Sequence, residues 1–237
     1  MNKILVYDLP TRFFHWLFVV LFACAFGIAK TIDDDSPLYS YHMLAGLCLG
    51  FLVLLRIFWG LVGSTYSRFS HFALKPKDLI NYFLSFLNND KKRWPGHNPA
   101  SSWAAIAMMM MALGLATSGV LMASGYKEEL EDIHELLANG FLVTALAHIA
   151  GLAIHTIRHK EMIGLSMITG QKQDFPESEK INSQHLIPAL VLILIMSLFA
   201  YQLLSKYDTT TGQLNVFGKV LQLGENESDE NRENGDD

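Results

Sequence analysis

The stretch HELLANGFLVTALAHIAGLAIHTI, His134–Ile157, decides how this chain folds. It runs for 24 residues with one carboxylate, Glu135, at its edge and no lysine or arginine. About 20 apolar residues rising 1.5 Å each cross a hydrocarbon layer of about 30 Å, so Glu135–Ile157 within this stretch predicts a membrane-spanning helix. Working outward, four more stretches have this character: Phe13–Ala29, His42–Val62, Trp103–Ser124 and Leu186–Leu204. Composition agrees, since 51% of the 237 residues are hydrophobic and 17% charged, against roughly 25% charged in an ordinary soluble domain. Five spans and their loops use up nearly the whole chain and leave little for a soluble domain. The expected fold is an all-α integral-membrane protein, a four-helix bundle with a fifth transmembrane helix.

The first apolar stretch has basic residues before it, Lys3 and Arg12, as a signal peptide would. However, no clear small-x-small cleavage site precedes Thr31, and Asp8, Arg12 and His15 crowd its start, so a retained span is expected. Lysine and arginine are unevenly divided among the connections. The N-terminus, the 64–101 connection and the 158–185 connection together hold 12, and the opposite side holds 5. The positive-inside rule then puts the N-terminus in the cytoplasm and, with five spans, the tail outside. That tail, residues 206–237, has eight acidic and three basic residues, and its end, GENESDENRENGDD, reads as disordered. It is either a solubilising end or a docking strip for a basic partner. Cys24 and Cys48 fall inside spans, where a thiol packs as a small apolar group. There is no C-x-x-C-H motif for covalent haem attachment.

Nine histidines are present, and five of them, His15, His42, His134, His148 and His155, fall in spans or at their ends. An ionisable residue in hydrocarbon is a functional hypothesis by default. One histidine alone would be read as an interhelical hydrogen bond, but four or five in so short a chain ask for more. Depth sorts them. His15 lies near the inner start of a span running outward, and His42 near the outer start of a span running inward. His134 and His148 share one span, 14 residues apart. Fourteen residues are almost four turns, so both side chains occupy one helix face about 21 Å apart. His15 can therefore meet His148 on the inner side, and His42 can meet His134 on the outer side. Two bis-imidazole pairs stacked in depth are what two haem b groups need, since imidazole suits iron.

Longer motifs support the same pairs. VYDLPTRFFHW (Val6–Trp16), HMLAG (His42–Gly46), RIFWGLVGSTYSRF (Arg56–Phe69), GHNP (Gly96–Pro99) and MITG (Met167–Gly170) follow in order, with His134 and His148 at their spacing. Together these resemble bacterial di-haem b-type cytochromes: the cytochrome subunits of nickel–iron hydrogenases, formate dehydrogenase gamma subunits and free-standing cytochrome b561. The resemblance spans roughly residues 5–170. It implies that His15 and His148 bind the cytoplasmic-side haem, that His42 and His134 bind the periplasmic-side haem, and that the chain sits in a bacterial inner membrane. It divides the chain into a di-haem core, residues 1–170, then a cytoplasmic loop and fifth helix, 171–205, and the acidic, partly disordered periplasmic tail, 206–237. The fifth span and tail depart from the hydrogenase and formate dehydrogenase types.

His155 lies seven residues after His148 on a similar face and is an alternative ligand. Arg12 and Arg56 stand at the cytoplasmic ends of spans, where a guanidinium fork pairs a haem propionate or else snorkels to lipid phosphate. Gly46, Gly50, Gly140 and Gly151 either admit a flat macrocycle or serve close helix packing. His97 of GHNP orders a loop or borders a quinone. The function expected is electron transfer between the quinone pool and a periplasmic redox protein, a hydrogenase or a c-type cytochrome. The competing readings are a histidine-dependent metal or proton transporter and a non-redox membrane anchor. A transporter asks for carboxylates deep in the spans, and only Glu135, at an edge, is there. No nucleotide, flavin or hydrolytic motif is present, so any catalysis is quinone oxidation or reduction, and no nucleic-acid partner is expected.

Overall fold

The structure is a computed structural model that describes residues 3–87, 92–216 and 218–223. The elements run in the order β1 (Lys3–Leu5), α1 (Leu9–Thr31), α2 (Ser40–Val62), α3 (Pro76–Leu87), α4 (Pro99–Met122), α5 (Lys127–His159), α6 (Ser166–Thr169), β2 (Gln171–Gln173), α7 (Leu186–Lys206), β3 (Tyr207–Asp208), β4 (Gln213–Val216) and β5 (Lys219–Gln222). Five of the helices, α1, α2, α4, α5 and α7, are long and apolar enough to cross a membrane. Each expected span falls in one of them, although α4 starts earlier, at Pro99, and stops at Met122. The ends have local causes. Asp8 Oδ1 accepts the Thr11 N–H at 2.9 Å and caps α1; Asn98 Oδ1 accepts the Ser101 N–H at 2.8 Å and caps α4, with Pro99 at its first position. At 33 residues α5 is about 50 Å long, more than a hydrocarbon layer of about 30 Å requires, and its acidic first turn, Glu128 and Glu129, is exposed.

The chain resolves into two compact units, each drawing on several long helices. The first comprises Met1–Trp16, Val53–Met111 and Asn139–Leu192. In it β1 pairs antiparallel with β2, Ile4 opposite Lys172. Ile4, Val6, Tyr7, Tyr66 and Ile181 form a buried core over this pair. The Val6 and Tyr7 N–H groups both donate to the Gly170 carbonyl, at 2.8 and 3.0 Å. Gly170 ends α6 with φ +78°, and a Cβ there would lie 2.6 Å from the Tyr7 carbonyl oxygen, so only glycine fits. Asp8 is fully buried. Besides capping α1 it accepts the Trp59 indole N–H at 3.2 Å, and His185 Nδ1 stands 3.8 Å away. The connection between α2 and α4, which carries no periodicity long enough for a span, holds the helix α3.

The second unit comprises Leu17–Leu52, Ala112–Ala138 and Ile193–Asp237. Its strands β3, β4 and β5 form an antiparallel meander in that order. Leu214, Leu221 and Leu223 from it are buried with Leu44 of α2 and Leu203 of α7. The Ser40 hydroxyl donates to the Leu223 carbonyl at 3.3 Å, and the Gln222 N–H donates to the Ala123 carbonyl at 3.2 Å. The start of the acidic tail is therefore a small sheet clamped on α2, α4 and α7. The stretch expected to be disordered, from residue 224 on, lies outside the described residues. Gly50 faces Ala116, whose Cβ would be 2.5 Å from a Cβ at 50. That glycine serves close packing of α2 on α4.

Candidate functional site

The second unit brings two of the expected ligands together. His42 stands near the start of α2 and His134 in the second turn of α5, with ring centroids 6.0 Å apart and planes at 70°. Each Nδ1 is tied down. His42 Nδ1–H donates to the Ala25 carbonyl at 2.8 Å. His134 Nδ1 lies 2.8 Å from Ser118 Oγ, and the Ser118 hydroxyl proton is spent on the Gly114 carbonyl at 2.8 Å. The serine oxygen is thus left to accept from His134 Nδ1–H. Both rings are held in the tautomer that frees Nε2 for a metal, the usual outer-shell arrangement for a ligating imidazole. A histidine nitrogen sits about 2.0 Å from a first-row metal, so two imidazoles on opposite sides of one ion keep their centroids roughly 6 Å apart. The observed spacing fits an iron between the rings.

The first unit holds the other pair. His15, in the second turn of α1, and His148 of α5 are close enough to interact electrostatically. His15 Nδ1 is buried and has no hydrogen-bond partner. His148 of α5 also lies within electrostatic reach of His97. His155 is buried and lines a pocket with Trp94, Glu161 and Lys172.

His97 belongs to this site more closely than its loop position suggested. Its ring packs edge-on to Tyr7 at 5.4 Å and against Phe72 at 4.7 Å. Burial holds its pKa well below the ordinary value, and the charges of Arg56 and Lys172 and then of His148 and His15 add to that, so the ring is neutral. Lys172, counted in the sequence only as a loop charge, donates through Nζ to the Gly96 carbonyl at 2.8 Å and the Trp94 carbonyl at 3.1 Å. It thereby orders the GHNP turn from β2. Burial brings its pKa down to about 8, partly opposed by Glu161.

The two expected arginines differ. Arg12 donates from Nη2 to the Ile168 carbonyl, and its neighbour Trp16 donates to the Met167 carbonyl at 3.0 Å, so this end of α1 is bound to the MITG turn. Arg56 donates from Nη2 to the Ser67 carbonyl at 3.0 Å and lies over the Phe69 ring, 5.1 Å from its centroid. Its Nη1 is buried without a partner, and a buried cation with an idle donor calls for an anion. Of the four glycines, Gly50 faces Ala116 and Gly140 faces the Met111 sulfur at 3.3 Å, whereas a Cβ at Gly46 or Gly151 would meet nothing within 4 Å. Gly46 is one turn from His42, and Gly151 one turn from His148, so open space adjoins a histidine of each pair.

A family model described as prokaryotic cytochrome b561 matches residues 6–170, the part that holds all four paired histidines. The chain belongs to that family. This cytochrome is accordingly a helical, multi-pass membrane protein. It is 26% identical over 145 residues to the probable Ni/Fe-hydrogenase 1 B-type cytochrome subunit of Escherichia coli strain K12, covering 52% of this chain and 61% of that one. The subunit of the same name from Escherichia coli O157:H7 gives the same figures. The cytochrome thus spans about three fifths of the length of these curated relatives. No solved structure matches it. Helix α7 and strands β3–β5 lie beyond the matched segment.

The residues present fit haem b. His42 with His134, and His15 with His148, would hold the iron, the open space at Gly46 and Gly151 would admit the macrocycle, and Arg56 Nη1 would offer a donor for a carboxylate. Held so, haem b would supply a one-electron Fe(III)/Fe(II) couple whose potential the residues holding it and their hydrogen bonds would set. The chain engages Nδ1 of His42 and of His134 in hydrogen bonds, carries the four paired histidines half-buried on apolar helices and keeps the neighbouring His97 neutral.

Proposed function

We propose that this cytochrome binds two haem b groups, through His15 with His148 and through His42 with His134, and conducts electrons between quinone and a periplasmic redox protein. The observation that carries this is the His42–His134 pair: two facing imidazoles at metal-bridging distance, each with Nδ1 engaged and Nε2 free. The electrostatic coupling of His15 with His148 supports a second site of the same kind. Arg56 holds a propionate of the haem at that second site, while Arg12 orients His15 through the MITG turn. The orientation follows the lysine and arginine bias, with the N-terminus in the cytoplasm and the meander outside, in the inner membrane of a bacterium. A hydrogenase-type partner is favoured over a soluble c-type cytochrome by the names of the two relatives.

Haem content tests the proposal. The purified chain should give close to two haem b per polypeptide by pyridine haemochrome assay, all extractable by acid acetone. His42→Ala or His134→Ala should each remove one haem, His15→Ala or His148→Ala the other, and His155→Ala neither. A folded chain that stays colourless with haem supplied sinks the reading, and loss of a haem in His155→Ala but not in His148→Ala overturns the ligand assignment. For the orientation, a cysteine introduced in the tail should react with an impermeant thiol reagent in intact cells. Labelling only after lysis would place the tail inside.

A further inference from the structure

The connection between α2 and α4 carries a helix that the haem chemistry does not use. Helix α3 reads PKDLINYFLSFL. At about 100° per residue, Ile80, Phe83 and Leu84 fall in one arc, Lys77 and Asn81 in the next, and Leu79 and Tyr82 in a third. Burial follows these arcs. Leu79 and Tyr82 are half-buried and Lys77 and Asn81 exposed, while Ile80, Phe83 and Leu84 are 58%, 57% and 47% exposed. A helix with a protein side, a water side and an exposed apolar side between them is built for a boundary.

Its hydrogen bonds fix which boundary. Asn98, the cap of α4, donates from Nδ2 to the Tyr82 hydroxyl at 3.3 Å. Arg158, in the last turn of α5, donates to the Ser85 carbonyl at 2.6 Å. Both anchors are ends of membrane spans, so α3 is held at the depth where those spans leave the hydrocarbon. Lys75 and Lys77 are exposed at its start, and Lys77 flanks the apolar arc. Lysines beside an exposed apolar arc at that depth match the phosphates of a bilayer surface.

We propose that α3 lies in the headgroup layer of the cytoplasmic leaflet, with Ile80, Phe83 and Leu84 at the acyl boundary and Lys75 and Lys77 on anionic phospholipid headgroups. Through the Tyr82–Asn98 hydrogen bond the lipid surface then bears on the turn that carries His97. The leaflet rests on the orientation proposed above, but the depth of α3 does not, and it is read without reference to haem content. Each lysine near an anionic surface strengthens the attraction by about fivefold.

The test is nitroxide accessibility in the full chain, reconstituted in nanodiscs of phosphatidylcholine alone or mixed with phosphatidylglycerol. Labels go on Ile80→Cys, Phe83→Cys, Leu84→Cys, Lys77→Cys and Asn81→Cys in a Cys24→Ala, Cys48→Ala background. In the anionic discs the first three should be relaxed by oxygen and protected from a water-soluble nickel chelate, and the last two the reverse. Adding K75E and K77E should raise nickel access at Phe83→Cys in anionic discs only. Nickel access at Phe83→Cys equal to that at Asn81→Cys overturns the proposal. So does protection from both relaxants, which would mean that a protein surface covers the arc. An unchanged response to K75E and K77E removes the lysine–headgroup assignment. Should the cysteine-free background lose its haem spectrum, Phe83→Trp in the parent chain answers the same question, because brominated phospholipid must then quench more fluorescence than in the parent. Equal quenching overturns the proposal.

Discussion

Replacing Ser118 by alanine should weaken haem binding at the proposed His42–His134 site without touching either histidine. The Ser118 oxygen lies 2.8 Å from His134 Nδ1, and the side chain is buried, 5% exposed. Alanine leaves that N–H without an acceptor, at a cost of about 1–3 kcal/mol. Loss of such an outer-shell partner lowers metal affinity about 10- to 100-fold, which is the same energy seen from the metal. The imidazole also becomes a weaker donor, and the ferric form loses more from this than the ferrous form. The midpoint potential of one haem should therefore rise, by about 59 mV for each tenfold difference in affinity between the two oxidation states. Pyridine haemochrome assay reads occupancy, and a potentiometric titration in detergent reads both potentials. Thr117→Ala is the control, because that exposed hydroxyl bonds only its own helix, at the Leu113 carbonyl. Full occupancy and two unmoved potentials in Ser118→Ala would refute the assignment of His134 as a ligand oriented by Ser118.

Arg56→Gln should loosen the haem at the His15–His148 pair and lower its midpoint potential, since a positive charge near the iron disfavours the ferric form; Arg56→Lys should restore the charge but not the two-sided fork, and unchanged titrations in both would separate Arg56 from the haem. Lys172, with its folded pKa depressed to about 8, is bound to fewer protons in the folded than in the unfolded state between about pH 8 and its ordinary value near 10.4. The folded chain should thus gain stability as pH rises through that window, by up to about 3 kcal/mol. The gain should be absent from Lys172→Met, as thermal unfolding at pH 8 and pH 9.5 would report. Leu214→Ala opens a hole in the fully buried centre of the meander and should cost about 2–5 kcal/mol, read as a lower Tm, whereas deleting residues 224–237 should leave Tm and both haems intact. The same deletion should slow electron exchange with a periplasmic partner only at low ionic strength, because charges more than about 8 Å apart are screened in physiological salt. Equal slowing at high salt would make the tail more than a steering strip.

The histidines were legible in the sequence because a polar residue inside an apolar block stands out, and because a fourteen-residue interval closes on one helix face. The partners that orient them were not. Ser118 looks like any span serine until the fold sets it beside His134, and the Ala25 carbonyl that holds His42 is a backbone atom with no signature. Asp8 is plainly odd at the mouth of an apolar stretch, yet its use depends on Trp59, 51 positions away. Helix α3 escaped because its apolar arc is shared between protein and surroundings, so its residues alternate too irregularly to signal a span. The meander escaped because short alternating runs, QLNV and KVLQ, were overshadowed by the acidic composition of the residues after them.

The pairing of β1 with β2 has a consequence for how this cytochrome is made. Lys3–Leu5 precedes α1 in the chain, and its partner Gln171–Gln173 is translated only after α5 is complete. Until then the Arg12 guanidinium has no Ile168 carbonyl, Trp16 no Met167 carbonyl, and the Val6 and Tyr7 amides no Gly170 to receive them. Through the insertion of four of the five apolar helices the start of α1, with His15 on it, lacks these contacts and has only earlier ones such as the Asp8–Trp59 hydrogen bond. Closure of the clasp between the start of α1 and the MITG turn is thus a late step of biogenesis.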